Sequence, residues 1–124
     1  MTQENKELLL KDLSARLPYG VKCSVYEDAN VHTLSGVLPN KVYNELYFEE
    51  LDFKECDGFA DIQYCKPYLF PLSSMTEEER MEIGNECAYG QPHKAIDILH
   101  KRHIDYRGLI PMGLALDATG LNIY

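Results

Sequence analysis

Leu9, Leu10, Leu13 and Leu17 recur at helical spacing and lay one apolar stripe along residues 4–17, with Glu7 and Lys11 four apart in the favourable order. Pro18-Tyr19-Gly20 stops that rhythm. From Gly20 the period shortens towards two. Val21, Cys23 and Val25 alternate with Lys22, Ser24 and Tyr26, the signature of a half-buried strand, and Glu27-Asp28-Ala29-Asn30 reads as the turn after it. Further strands are expected over Val31 to Leu38, interrupted at Gly36 and closed by Pro39-Asn40, over Val42 to Phe48, and over Ala60 to Tyr64. Pro67 to Leu72 is extended, and its prolines suit a sheet edge or a bend.

Helical spacing returns after Thr76. Thr76 with Glu79 three residues on makes a capping box, and Glu77, Glu78 and Glu79 sit where a helix presents its unpaired amides, so a helix is expected to run from here to about Ala88, with Gly90 ending it. Pro92 suits the first position of another helix, with Ala95, Ile96, Leu99 and His103 on one stripe. Asp105 to Gly108 reads as a turn, Leu109 to Leu116 as an apolar stretch divided by Pro111 and Gly113, and Asp117 to Tyr124 as a segment that frays. These rhythms predict an α+β fold in a single domain spanning 1–124. An N-terminal helix packs on a bent antiparallel sheet, or a small SH3-like barrel, of four to five strands, and two C-terminal helices complete it.

Composition narrows the class without naming a function. With 124 residues, 45% hydrophobic and 26% charged, the chain can bury about two-thirds of its unfolded surface and needs no disulfide or metal to fold. No run approaches the roughly 18–20 apolar residues of a membrane span, and the opening Met1 to Glu7 lacks the basic start and apolar run of a secretion signal, so a cytoplasmic location without a membrane partner is expected. Cys23, Cys56, Cys65 and Cys87 form no Cys-x-x-Cys pair and read as reduced, mostly buried thiols.

A net charge of −8 disfavours nucleic acid, whose non-specific affinity comes from lysine and arginine. The charge is also segregated. Residues 44–61 carry seven carboxylates against Lys54, and residues 77–86 carry five against Arg80. Residues 91–107 reverse the balance, with Lys94, Lys101, Arg102 and Arg107 against Asp97 and Asp105.

Few residues offer chemistry. A metal site could draw on His93, His100, His103 and Cys87, but His100 and His103, three apart on a helix, would need a third ligand from elsewhere. Cys65 beside Lys66, with His100 or His103 as base, would make a nucleophile only if its thiol were easily ionised. Phosphate loops, nucleophile elbows and zinc-protease or calcium motifs do not occur, and no cofactor is implied. The densest mixture of charged and aromatic residues is Lys101, Arg102, His103, Asp105, Tyr106 and Arg107, types found at interface hot spots. A structural role is the competing reading, in which Asp105 and Arg107 pin the turn while Lys101 and Arg102 complement a helix end.

Three stretches carry a resemblance: Leu8 to Val21 (LLLKDLSARLPYGV), Lys66 to Glu79 (KPYLFPLSSMTEEE) and His103 to Ile110 (HIDYRGLI). Together they resemble a group of small uncharacterised proteins of gut Bacteroides-type bacteria and their phages and prophages. The resemblance implies a genomic setting and no mechanism. The leading expectation is therefore a small non-enzymatic accessory or binding protein acting on another protein. The alternatives are a small metal-dependent or cysteine-dependent hydrolase using Cys65 or the His100 and His103 pair, and weak nucleic-acid contact through the basic helix of residues 93–107.

Overall fold

The computed structural model describes residues 1–28, 30–39, 44–49 and 59–124. Ala29, Asn40, the expected start of a strand at Val42, and the segment holding Glu50, Asp52, Lys54, Glu55, Cys56 and Asp57 lie outside the described residues.

Helix α1 spans Gln3–Arg16 and is N-capped by Thr2, whose hydroxyl accepts the Asn5 amide at 3.1 Å. A 3-10 turn over Leu17–Tyr19 follows, and Gly20, at φ 68°, supplies the left-handed residue that releases the chain into the sheet. Strands β1 (Lys22–Val25), β2 (His32–Pro39), β3 (Asn44–Phe48), β4 (Ala60–Asp61) and β5 (Cys65–Pro71) come next. Helices α2 (Glu77–Ala88) and α3 (Pro92–Lys101) and two short strands, β6 (Ile104–Asp105) and β7 (Leu116–Asp117), complete the order.

The α+β architecture is the expected one, and its sheet is open and mixed. Strands pair antiparallel in the order β4-β3-β2-β1-β5, and β6 and β7 each add to β5 in parallel. Among the described residues the order does not return on itself, so the sheet is open rather than an SH3-like barrel, and it is mixed with seven strands where an antiparallel one of four to five was expected. Gly36 marks a register shift between Leu34 and Gly36 and pairs with Tyr47, whose side chain would lie 3.7 Å from any β-carbon placed on it.

Three local expectations are corrected. The strand foreseen over 60–64 stops at Asp61, whose carboxylate accepts the Gln63 amide and starts a 3-10 turn over Ile62–Tyr64. The proline-bearing segment is the central strand β5 rather than an edge. Alternate residues of a strand direct their backbone groups to opposite sides. Tyr64 bonds towards β1 through Tyr26, and Leu69 bonds the other way, to Ala118 beside β7. Pro67 and Pro71 are in phase with Leu69, on the side where β7 pairs only with Tyr68 and Leu69, so their missing amides remove no rung. Finally, residues 117–124 do not fray. Ala118 is buried and its amide donates to the Leu69 carbonyl at 2.8 Å.

The core lies between α1 and the sheet. Leu9 and Leu13 pack on Val21, Cys23, Leu34, Leu46, Ile62 and Leu69, and the irregular segment at Leu109, Leu114 and Ala115 closes the end. Among the described residues, no helix is long and apolar enough to cross a membrane.

Candidate functional site

The six residues singled out in the sequence divide between two environments. Asp105, Tyr106 and Arg107 turn inward, and Lys101, Arg102 and His103 line a cleft.

The inward group joins a charge cluster that begins on α1. Asp12 and Arg16 fall on the same stripe as Leu9 and Leu13 and are fully buried, with Arg16 Nε donating to Asp12 Oδ2 at 2.9 Å. Arg16 also donates to the carbonyls of Ile104 at 2.6 Å and Leu99 at 3.4 Å. Arg107 Nε donates to the second Asp12 oxygen at 3.1 Å, and both guanidiniums lie against the Tyr106 ring, at 4.9 Å for Arg107 and 5.6 Å for Arg16. The Tyr106 hydroxyl is 2.6 Å from His100 Nε2, and burial with Arg16 nearby keeps that imidazole below its usual proton affinity. Asp105 accepts the amides of Leu109 and Ile110 at 2.8 and 2.9 Å, which fixes the turn into the apolar segment. No buried side-chain nitrogen or oxygen of this cluster lacks a partner, and the cluster holds α1, α3 and β6 together.

The cleft, about 820 Å³, opens where β1 and β6 part on the same side of β5. The Phe70 amide donates to the His103 carbonyl at 2.8 Å, in phase with Tyr64, so β1 and β6 follow one another along that side. Between them one rung is missing, and Tyr124 fills it. Its hydroxyl accepts the Lys22 amide at 2.8 Å and donates to the Tyr68 carbonyl at 2.7 Å. Burial pushes that phenol's pKa up. The Tyr124 ring stacks on His103 at 3.9 Å and 16°.

His103 follows α3 rather than belonging to its stripe. The helix ends at Lys101, and His103 takes a left-handed conformation at φ 56° that aims the chain into β6. Burial first, then Arg16 and Lys22, bring its pKa from 6.5 down to about 4, so the ring is neutral, and its Nδ1 is buried with no hydrogen-bond partner. Tyr19, Lys22, Met75, Glu79, Lys101 and Arg102 form much of the surrounding wall. Arg102 is bound to Glu82 at 2.7 Å and Glu79 at 3.5 Å, tying the end of α3 to α2.

The other candidates do not converge. The Cys65 thiol is buried, donates to the Asp61 carbonyl at 3.5 Å and is pushed up to about 12 by burial and then Asp61, the reverse of what a nucleophile needs. Neither His100, bound to Tyr106, nor His103, stacked on Tyr124, is paired with it. Among the described residues, no three His, Cys, Asp or Glu side chains come together as metal ligands. The basic segment also disperses, because Arg102 is paired with Glu82 and Glu79, and Arg107 with buried Asp12, leaving Lys94 and Lys101 on the exposed surface.

Sequence reasoning missed Asp12, Arg16, Lys22 and Tyr124. Asp12 and Arg16 carried a readable signal, two opposite charges four apart on the apolar stripe of α1. Tyr124 carried none, since its role depends on a rung that only the folded sheet leaves open. Compared with known proteins, the chain matches no family model, and no curated protein and no solved structure matches it.

Proposed function

We propose that this chain is a small non-enzymatic accessory protein that binds another protein, one with a basic surface, through helix α2. The observation that carries this reading is that α2 is twelve residues long and none of its residues is buried. A surface helix ordinarily draws its stability from an apolar stripe pressed on the core. Here α2 is held instead by its capping box, by packing against α3 and by the Arg102 ion pairs.

That arrangement leaves apolar groups outside. Met81 is 61% exposed and Tyr89 81% exposed, and with Asn85 they form one row at four-residue spacing. Large exposed side chains of these types act as anchors once a partner covers them. Glu77 and Glu78 stand exposed beside that row and Glu86 is half-buried, while Glu79 and Glu82 are engaged by Arg102. Negative charge around an apolar row favours a basic partner and rejects an acidic one. The reading places this contact in a bacterial cytoplasm, the setting implied by the resemblance in its three stretches.

The test compares the wild-type chain with a Met81→Ser/Tyr89→Ser variant as bait in bacterial lysate, at low and physiological salt. A protein captured by the wild type, lost with the variant and weakened by salt supports the reading. Recovery of nothing at either salt, or equal recovery with the variant, overturns it.

A further inference from the structure

The cleft beside Tyr124 has a chemical character distinct from α2. In a chain of net charge −8, its lining brings together Lys22, Lys101 and Arg102 against a single acidic side chain, Glu79. Arg102 and Glu79 are already paired. Lys22 spends one ammonium hydrogen on Thr33, at 2.8 Å, and Lys101 has no partner among the described residues. Two cations are thus left to bind an anion, enough to match one dianion.

Around those cations the walls are aromatic and half-open. Tyr19 is 37% exposed and Tyr124 42% exposed, and Phe70 lies deeper. Faces of this kind take planar rings by stacking. At the floor, His103 is only 5% exposed, its ring covered by Tyr124. The cleft's volume of about 820 Å³ also falls in the range of small-ligand sites.

We propose that this cleft is a binding site for a small organic phosphate whose planar ring carries one phosphate group, the class represented by nucleoside monophosphates. Lys22 and Lys101 hold the phosphate, and Tyr19 and Tyr124 hold the ring. A polynucleotide does not fit the same observations. The chain's overall negative charge repels an extended polyanion, and the cations left over serve a single phosphate.

Calorimetric titration of the full chain with AMP, GMP, CMP and UMP tests this, with the matching nucleosides, ribose 5-phosphate and inorganic phosphate as separate arms. At least one monophosphate is expected to bind with Kd below about 1 mM, and at least about tenfold more tightly than its nucleoside, ribose 5-phosphate or inorganic phosphate. Lys101→Glu, an exposed substitution, is expected to weaken it at least about tenfold, and Glu7→Gln, on α1 outside the cleft, to leave it unchanged. Failure of all four monophosphates at about 1 mM overturns the proposal, as does equal binding of inorganic phosphate or indifference to Lys101→Glu. The Met81→Ser/Tyr89→Ser variant retains this binding, so the outcome is separate from that of the α2 contact.

Discussion

Replacing Arg16 by Met removes a guanidinium that is fully buried and makes three polar contacts, to Asp12, Ile104 and Leu99. Methionine fills much of the volume, so the loss is chiefly electrostatic. Asp12 keeps only Arg107, and two carbonyls lose their donor. Breaking a buried pair by deleting one partner costs about 3–5 kcal/mol, against a total stability of about 5–15 kcal/mol for a domain. At a urea slope of about 1.5 kcal/mol per molar, a loss of about 4 kcal/mol lowers the unfolding midpoint by about 2–3 M, which far-UV circular dichroism reads directly. The decisive comparison is with Asp12→Leu/Arg16→Met. With both charges gone no ion is stranded, because Arg107 is partly exposed and can turn to solvent, so the double variant is expected to lose less than either single one. A cost below about 1 kcal/mol for Arg16→Met, or a double variant that costs the sum of the singles, would refute this account of the cluster.

Three further outcomes follow from the structure. His103 titrates at about 4 when folded against 6.5 ordinarily, so below pH 6.5 the unfolded chain binds a proton that the folded chain refuses. Its contribution is complete above pH 6.5 and is lost as pH falls towards 4, on the order of 2 kcal/mol after solvent screening; urea titrations across that range should show a steeper fall than in His103→Gln, and parallel curves would contradict it. Thr76→Ala removes the hydroxyl that accepts the Glu79 amide at 3.2 Å and should cost about 1 kcal/mol, with faster hydrogen exchange confined to the first turn of α2. Thiol labelling followed by peptide mapping should modify exposed Cys87 while leaving buried Cys23 and Cys65 untouched until the chain unfolds; early labelling of Cys65 would count against its buried, poorly ionised state.

The elements whose signals are local were legible in the sequence. The Leu9 and Leu13 stripe announces α1, the alternation from Val21 to Val25 announces β1, and Thr76 with Glu79 forms the capping box that its spacing implies. Two-residue strands such as β6 and β7 have no period to read and exist only because β5 offers them backbone groups. The prolines of β5 point to an edge until the phase of their missing amides is known. Half of the candidate site was legible for a similar reason. A charged, aromatic segment can be found by composition, but which of its residues turn inward depends on Asp12 and Arg16, some 90 residues away in sequence.

That separation has a consequence for how the chain matures. The carbonyls that Arg16 must reach lie 83 and 88 residues further along the chain, at Leu99 and Ile104. Until those carbonyls arrive, the Arg16 guanidinium has only Asp12 of its own helix as a partner, so the helix face that will form the core stays hydrated. Docking of α1 is governed by closure of loops of more than 80 residues, and such non-local closure slows folding.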